Sequence, residues 1–252
     1  MALQEQLKRQ GDYLFKNRSF LPLIFIVFTL AIKGYYIENT PSNSPTVAMF
    51  TDFMNSVSIY VGLFGLIVRI YTVGYTPKNT SGRNTKEGQV ANELNTKGLY
   101  STTRNPLYLG NFFMWMGVIL YINVAWLFLL FIFVFWMYYE RIIYAEEVFL
   151  RKKFGNTYLK WAEKTPVFMP KKLCYVHPKQ SFNFGKILIK EKSGFLMYFL
   201  ILFVIQQFSN FVEVNSFKVD FNFITNGLIT SCAIYVTVKL VQVLKKNQLI
   251  SS

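Results

Sequence analysis

The chain has 252 residues, of which 52% are hydrophobic, 18% aromatic and only 16% charged. Soluble domains carry about 25% charged residues, so neither a soluble globular protein nor a disordered chain fits, and a polytopic helical membrane protein does. The 27 Lys and Arg against 13 Asp and Glu give a net charge of +14; they flank apolar runs, which points to membrane topology and anionic lipid headgroups rather than nucleic acid.

Six apolar stretches are expected as membrane helices in an all-α bundle: Phe20–Ile37, Met54–Gly74, Pro106–Ile122, Val124–Tyr139, Phe195–Val212 and Ile224–Leu244. A span takes roughly 20 residues. The third and fourth are short and separated only by Asn123, which predicts a tight helical hairpin. The fifth is interrupted near its end by Gln206, Gln207, Ser209 and Asn210. Nineteen residues precede the first stretch and no A-x-A site follows it, so it is expected to stay in the mature protein.

Basic residues set the orientation. Residues 1–19 carry four Lys or Arg, 75–105 five, 140–194 twelve and the tail after 244 two, whereas 38–53 carries none and 213–223 only Lys218. Six alternating spans put every basic segment on one side, which is expected to be cytoplasmic along with both termini. For a bacterial chain this is the plasma membrane.

One His and two Cys, Cys174 and Cys232, leave no cluster to hold zinc and no disulfide framework. His177, followed by Pro178 in a polar stretch, fits a solvated loop.

Two basic segments carry the residues suited to chemistry. The first tightens into Lys97-Gly98-Leu99-Tyr100 and ends Arg104-Asn105-Pro106-Leu107-Tyr108-Leu109. Asn105 suits an N-cap and Pro106 a first helical residue. That helix start offers free N–H groups to an anion, and Gly98 would let backbone approach a ligand. Simple punctuation at a helix start fits the same residues.

The second segment carries the fourth helix out of the membrane past Arg141 and Glu146-Glu147 to a C-cap at Gly155. A short helix then runs to Thr165-Pro166, with Tyr158 and Trp161 expected at headgroup level. Glu147 and Arg151, four apart, fit an ordinary surface pair.

In order and spacing these elements resemble the isoprenylcysteine carboxyl methyltransferases and the related phospholipid methyltransferases. The resemblance runs from about 94 to 170: Arg104-Asn105-Pro106-Leu107-Tyr108, a short hairpin, Glu146-Glu147, Phe154-Gly155-Asn156-Thr157-Tyr158, then Pro166 and Pro170. The family pattern has His where this chain has Asn105, which hydrogen-bonds but does not titrate. Residues 1–171 are thus expected to form a methyltransferase-like core, and 172–252 an extension with two further spans.

The resemblance implies a cytoplasmic pocket for S-adenosylmethionine and an amphiphilic acceptor drawn from membrane lipids or lipidated molecules. It maps cofactor contacts onto Lys97, Gly98, Leu99, Tyr100, Asn105, Pro106, Tyr108, Leu109, Glu146 and Glu147. No metal is implied. Arg141 is a candidate to hold an anionic acceptor, with a topology charge as its other reading. An amine acceptor needs a base, for which Glu146 or Glu147 stands nearby.

Membrane NADPH-dependent reductases of sterols or enones share a similar Arg-His-Pro-Asn-Tyr pattern; the Glu pair and Leu107 argue against them. A non-catalytic membrane protein that keeps the scaffold is the third reading, left open by Asn105.

Overall fold

The computed structural model describes residues 2–18, 21–39, 45–77, 80, 89–170, 175–217 and 219–246. Among them are seven α-helices and no named strand: α1 (Leu3–Asn17), α2 (Leu21–Asn39), α3 (Pro45–Tyr75), α4 (Pro106–Tyr121), α5 (Ala125–Lys164), α6 (Phe184–Val214) and α7 (Phe223–Lys246). Phe20, residues 78–79 and 81–88 of the first loop, Cys174, Lys218 and residues 247–252 lie outside the described residues.

The all-α membrane bundle stands; the count of six spans is not confirmed. Four helices are individually long and apolar enough to cross a membrane, contained in α3, α5, α6 and α7. α2 qualifies only jointly with α1, from which it bends by 77°, giving at most five. α4 has 16 residues, and at 1.5 Å per residue it is shorter than a bilayer core of about 30 Å. It is apolar because it packs inside the bundle: Gly117, Val118, Ile119 and Tyr121 are buried.

α1 is amphipathic and lies along α5, burying Gly11 and Phe15. α4 and α5 form the expected hairpin. Asn123 turns it in the left-handed region (φ 60°) and donates to Asn55 Oδ1 at 2.7 Å. α3 and α4 approach closely because both present glycine: a Cβ on Gly65 would meet Gly110 O at 2.5 Å, and one on Gly110 would meet Gly65 O at 2.8 Å. An aromatic column joins α4 to α5, with Phe135 stacked on Tyr139 at 4.2 Å and Tyr108 on Tyr139 at 4.8 Å.

α5 runs past its apolar stretch as expected and breaks at Gly155, whose φ of 51° and ψ of −129° are not helical. Helix resumes to Lys164 and stops at Thr165 before Pro166.

α6 and its approach are built into the core. Asn183 N donates to Gly74 O at 3.1 Å, and Lys186 Nζ donates to the carbonyl oxygens of Thr76 and Pro77. These bonds satisfy orphan carbonyls at the end of α3. Gly98 N donates to Val176 O at 2.8 Å, and Val176 N to Ser101 Oγ at 2.9 Å. Deeper in the bundle, Arg69 of α3 grips Glu191 of α6 with two bonds, Nε to Oε2 at 2.8 Å and Nη2 to Oε1 at 2.9 Å. Arg69 Nη1 donates to Asn111 Oδ1 of α4, whose Nδ2 donates to Tyr139 OH of α5 at 3.0 Å. One guanidinium thereby ties four helices together.

The Glu191 side chain is 5% exposed and that of Arg69 is 21% exposed. Breaking such a pair strands a charge, at a cost of about 3–5 kcal/mol, whereas replacing both partners by apolar residues is often neutral. Glu191→Ala is therefore expected to lower the unfolding temperature of the detergent-solubilised protein sharply, and the double variant Arg69→Met, Glu191→Leu to recover most of the loss. Equal melting of Glu191→Ala and the parent would contradict this role.

Candidate active site

The start of α4 is held from below by the segment that follows α5. Arg104 N donates to Pro166 O at 2.9 Å, and Thr103 Oγ1 to Phe168 O at 2.8 Å. Asn105 occupies the N-cap position and Pro106 the first helical position, as expected. Yet the Asn105 side chain does not cap the helix: its Nδ2 donates to Val167 O at 2.9 Å. The returning chain at 166–168 presents carbonyls there, and the amide satisfies one of them.

Above this staple lies a cavity of about 200 Å³. It brings together Tyr100, Asn105, Tyr108, Glu146 and Glu147, five residues expected at the cofactor site. The helical spacing explains the convergence. Tyr108 and Asn111 share one face of α4, and Tyr139, Glu146 and Leu150 line up along α5.

The other expected residues stand elsewhere. Lys97, Gly98 and Leu99 line an adjoining cavity of about 280 Å³, which shares Glu93, Leu94, Asn95 and Tyr100 with the first. Gly98 is needed for its positive φ of 62° rather than for close approach, since a Cβ there meets nothing within 4 Å. Pro106 and Leu109 are buried in packing and line neither cavity. Arg141 faces α1, donating to Gln10 Oε1 at 2.9 Å and to Met137 O at 2.6 Å, and lines a separate groove against that helix.

Glu147 pairs with Arg104 at 3.3 Å, not with Arg151. It points inward towards the start of α4, where the neighbouring arginine offers a buried charge partner. Tyr158, expected at headgroup level, is 1% exposed and lies beside Glu147. Burial holds its phenol well above the ordinary range, and the Glu147 charge adds to this. Trp161 Nε1 donates to Tyr100 O at 3.3 Å, laying the last turn of α5 over the loop. His177 is exposed, as expected, with its ring edge-on to Tyr175. Cys232 is free and exposed.

Sequence reasoning did not select Arg18, Arg69, Asn111 or the stretch 89–95, all of which reach the cavity. An arginine inside an otherwise apolar run was the available signal for Arg69.

The apolar stretch of α5 closes at Tyr139, and Glu146 lies two turns beyond it, outside the span. Burial raises its carboxyl to about 7, while contact with Tyr108 and the charge of Arg18 pull the other way. Among the described residues lining the cavity, Gln89 Nε2 and the Tyr158 hydroxyl are buried without a hydrogen-bond partner, while Arg104 Nε and Glu147 Oε1 face each other as an ion pair. Buried polar atoms of both signs around one hollow suit a ligand that carries donors, acceptors and charge. No group of three or more His, Cys, Asp or Glu that could hold a metal occurs among the described residues.

Residues 57–157 match the family model for phospholipid methyltransferases. The match begins within α3, takes in the α4–α5 hairpin and both glutamates, and ends just past Gly155. No curated protein and no solved structure matches the chain. Residues 57–157 are thus similar to phospholipid methyltransferases, and they lie in a chain with several helices long and apolar enough to cross a membrane.

The staple between 103–105 and 166–168 predicts a local effect. Thr103→Val leaves the Phe168 carbonyl without its donor, at about 1–3 kcal/mol. Limited proteolysis is expected to cut faster near residues 166–170 in this variant. An unchanged cleavage rate there would contradict the staple.

Proposed function

We propose that this chain, residues 57–157 of which match the family model for phospholipid methyltransferases, transfers a methyl group from S-adenosylmethionine to an amphiphilic acceptor in the membrane. The observation that carries the reading is the cavity itself. It gathers Tyr100, Asn105, Tyr108, Glu146 and Glu147 around unsatisfied buried polar atoms where α4 begins. The Lys and Arg of the loops beside it support a cytoplasmic position for this cavity, where the cofactor is found.

When bound, S-adenosylmethionine supplies a methyl group already activated on a sulfonium. The chain's own work is then binding, orientation and exclusion of water. The positive end of α4, with Arg104 beside it, suits a carboxylate. Glu146 suits a cation, and the rings of Tyr100, Tyr108 and Trp161 suit a heteroaromatic plane or a sulfonium. Arg104 occupies Glu147 and holds its carboxylate at the cavity wall. A phosphate or carboxylate acceptor attacks without a base. An amine acceptor gives up a proton, and Glu146, poised near neutrality, is placed to receive it. The reductase reading draws no support from the family match.

Calorimetry on the detergent-purified protein is expected to show binding of S-adenosylmethionine or its demethylated product and none of NADPH; the reverse result overturns the proposal. Tyr108→Ala and Glu147→Gln are each expected to weaken cofactor binding about tenfold, or about 1.4 kcal/mol, while the protein still inserts in membranes. Unchanged affinity in both would contradict the site.

The pH dependence has a definite sign. The raised carboxyl of Glu146 is mostly neutral near pH 6, and a cation bound against it draws it into the ionised form and releases a proton. Affinity is expected to rise as pH passes upward through about 7, and to lose this dependence in Glu146→Gln. A flat wild-type profile across that range would remove Glu146 from the cation's surroundings.

A further inference from the structure

A groove of about 750 Å³ runs between α1 and α5 and shares no lining residue with the cofactor cavity. The two helices are antiparallel there: Tyr138 OH donates to Leu14 O at 3.4 Å, and Arg141 Nε to Gln10 Oε1 at 2.9 Å. The walls change character along this pair. Val134 and Met137 belong to the apolar stretch of α5 and are exposed. Tyr138 follows, with Tyr13 across from it on α1, and Arg141 and Arg9 stand at the outer end. Apolar surface, then phenol rings, then cations is the order met on leaving a bilayer. Behind Val134 and Tyr138 a smaller apolar hollow of about 90 Å³, lined by the rings of Phe25, Phe131 and Phe135, continues the groove.

Two arginines line this groove and no carboxylate does. Among the described residues neither Arg9 nor Arg141 forms an ion pair. Arg141 donates to two neutral acceptors, Gln10 Oε1 and Met137 O, which hold its guanidinium in place and leave its charge uncancelled. The carboxylates of α1 are engaged elsewhere, Glu5 with the Ala2 N–H and Asp12 with Lys8. Glu140, next to Arg141 in the chain, is exposed and does not line the groove. Two cations on one apolar groove repel each other, and an anion between them turns the repulsion into attraction.

We propose that this groove binds an anionic membrane phospholipid, with the phosphate held between Arg9 and Arg141 and one acyl chain lying along Leu14, Met137 and Val134. A planar guanidinium matches phosphate oxygens through parallel N–H bonds, and the apolar walls take the chain out of water. The bound lipid bridges amphipathic α1 to the span it packs against. The site depends on the membrane-spanning fold and not on the methyltransferase reading.

The test is photolabelling of the full chain in phosphatidylcholine nanodiscs doped with a lipid that bears a diazirine on one acyl chain. Three probes with the same chains are compared: phosphatidylglycerol, phosphatidylcholine and diacylglycerol. Phosphatidylglycerol is expected to label Leu14 and Met137 about tenfold more than either other probe. Arg9 is exposed, so Arg9→Gln disturbs no packing, and it is expected to cut that excess about fivefold. Lys152→Gln removes the same charge from an exposed position of α5 outside the groove and is expected to leave the labelling unchanged. Met137→Trp fills the groove and is expected to suppress labelling of Leu14. Equal labelling by phosphatidylcholine, or an equal loss in Arg9→Gln and Lys152→Gln, overturns the arginine assignment. Phosphatidylglycerol labelling spread evenly over exposed positions of α7 such as Val236 and Leu240 overturns the groove. Native mass spectrometry of the same samples reads the remaining occupant. A dimer that Met137→Trp dissociates, with no phosphatidylglycerol retained by the parent, assigns the groove to a second copy of the chain and overturns the lipid proposal.

Discussion

A buried arginine in a membrane helix has to be answered by a carboxylate, and the architecture here follows from how Arg69 is answered. Glu191 supplies the countercharge through two bonds from α6, and Asn111 extends the contact to α4 and on to Tyr139 of α5. In a low-dielectric interior each member depends on the others for its polar partners. The network fixes the relative positions of α3, α4, α5 and α6 at one level. Arg69 and Asn111 also line the candidate cavity, so the same bonds that hold the bundle shape its wall.

The second constraint is the return of the chain after α5. Gly155 breaks the helix, the resumed turns bring Tyr158 and Trp161 inward, and residues 166–168 run beneath the start of α4. The cavity is thereby closed by segments more than fifty residues apart in sequence. Its acid pair is split in function by this closure. Arg104 pairs with Glu147 at 3.3 Å, and burial raises the Glu146 carboxyl to about 7. Two adjacent glutamates thus acquire different properties from their partners alone.

Much of the fold was legible in the sequence because apolar length and periodicity are local properties. The hairpin at Asn123, the break at Gly155 and the cap position of Asn105 all rest on single residues whose backbone preferences are strong. The exact span count is not fixed by composition, because an apolar run buried in protein and one facing lipid read alike; α4, apolar but only 16 residues long, is the instance. The convergence of Tyr108 with Glu146 and Glu147 came from motif order. Arg69 is a single charge inside the apolar stretch Met54–Gly74, and its partner Glu191 lies 122 positions away, where no local pattern connects them. Arg141 stood in the expected place in the sequence, but α1 packs against it, and an amphipathic helix preceding the first span gave no sign of where it would dock.

The long separation of Arg69 and Glu191 also bears on how the polypeptide is made. α3 enters the bilayer during synthesis well before α6 has left the ribosome, so its guanidinium spends that interval without the carboxylate. A translocation machinery or a water-filled vestibule has to shelter it until the later helix arrives. The interior is therefore settled last, by the portion of the polypeptide synthesised after residues 57–157, and a nascent chain arrested before residue 191 would hold Tyr108, Glu146 and Glu147 and still lack the countercharge of Arg69.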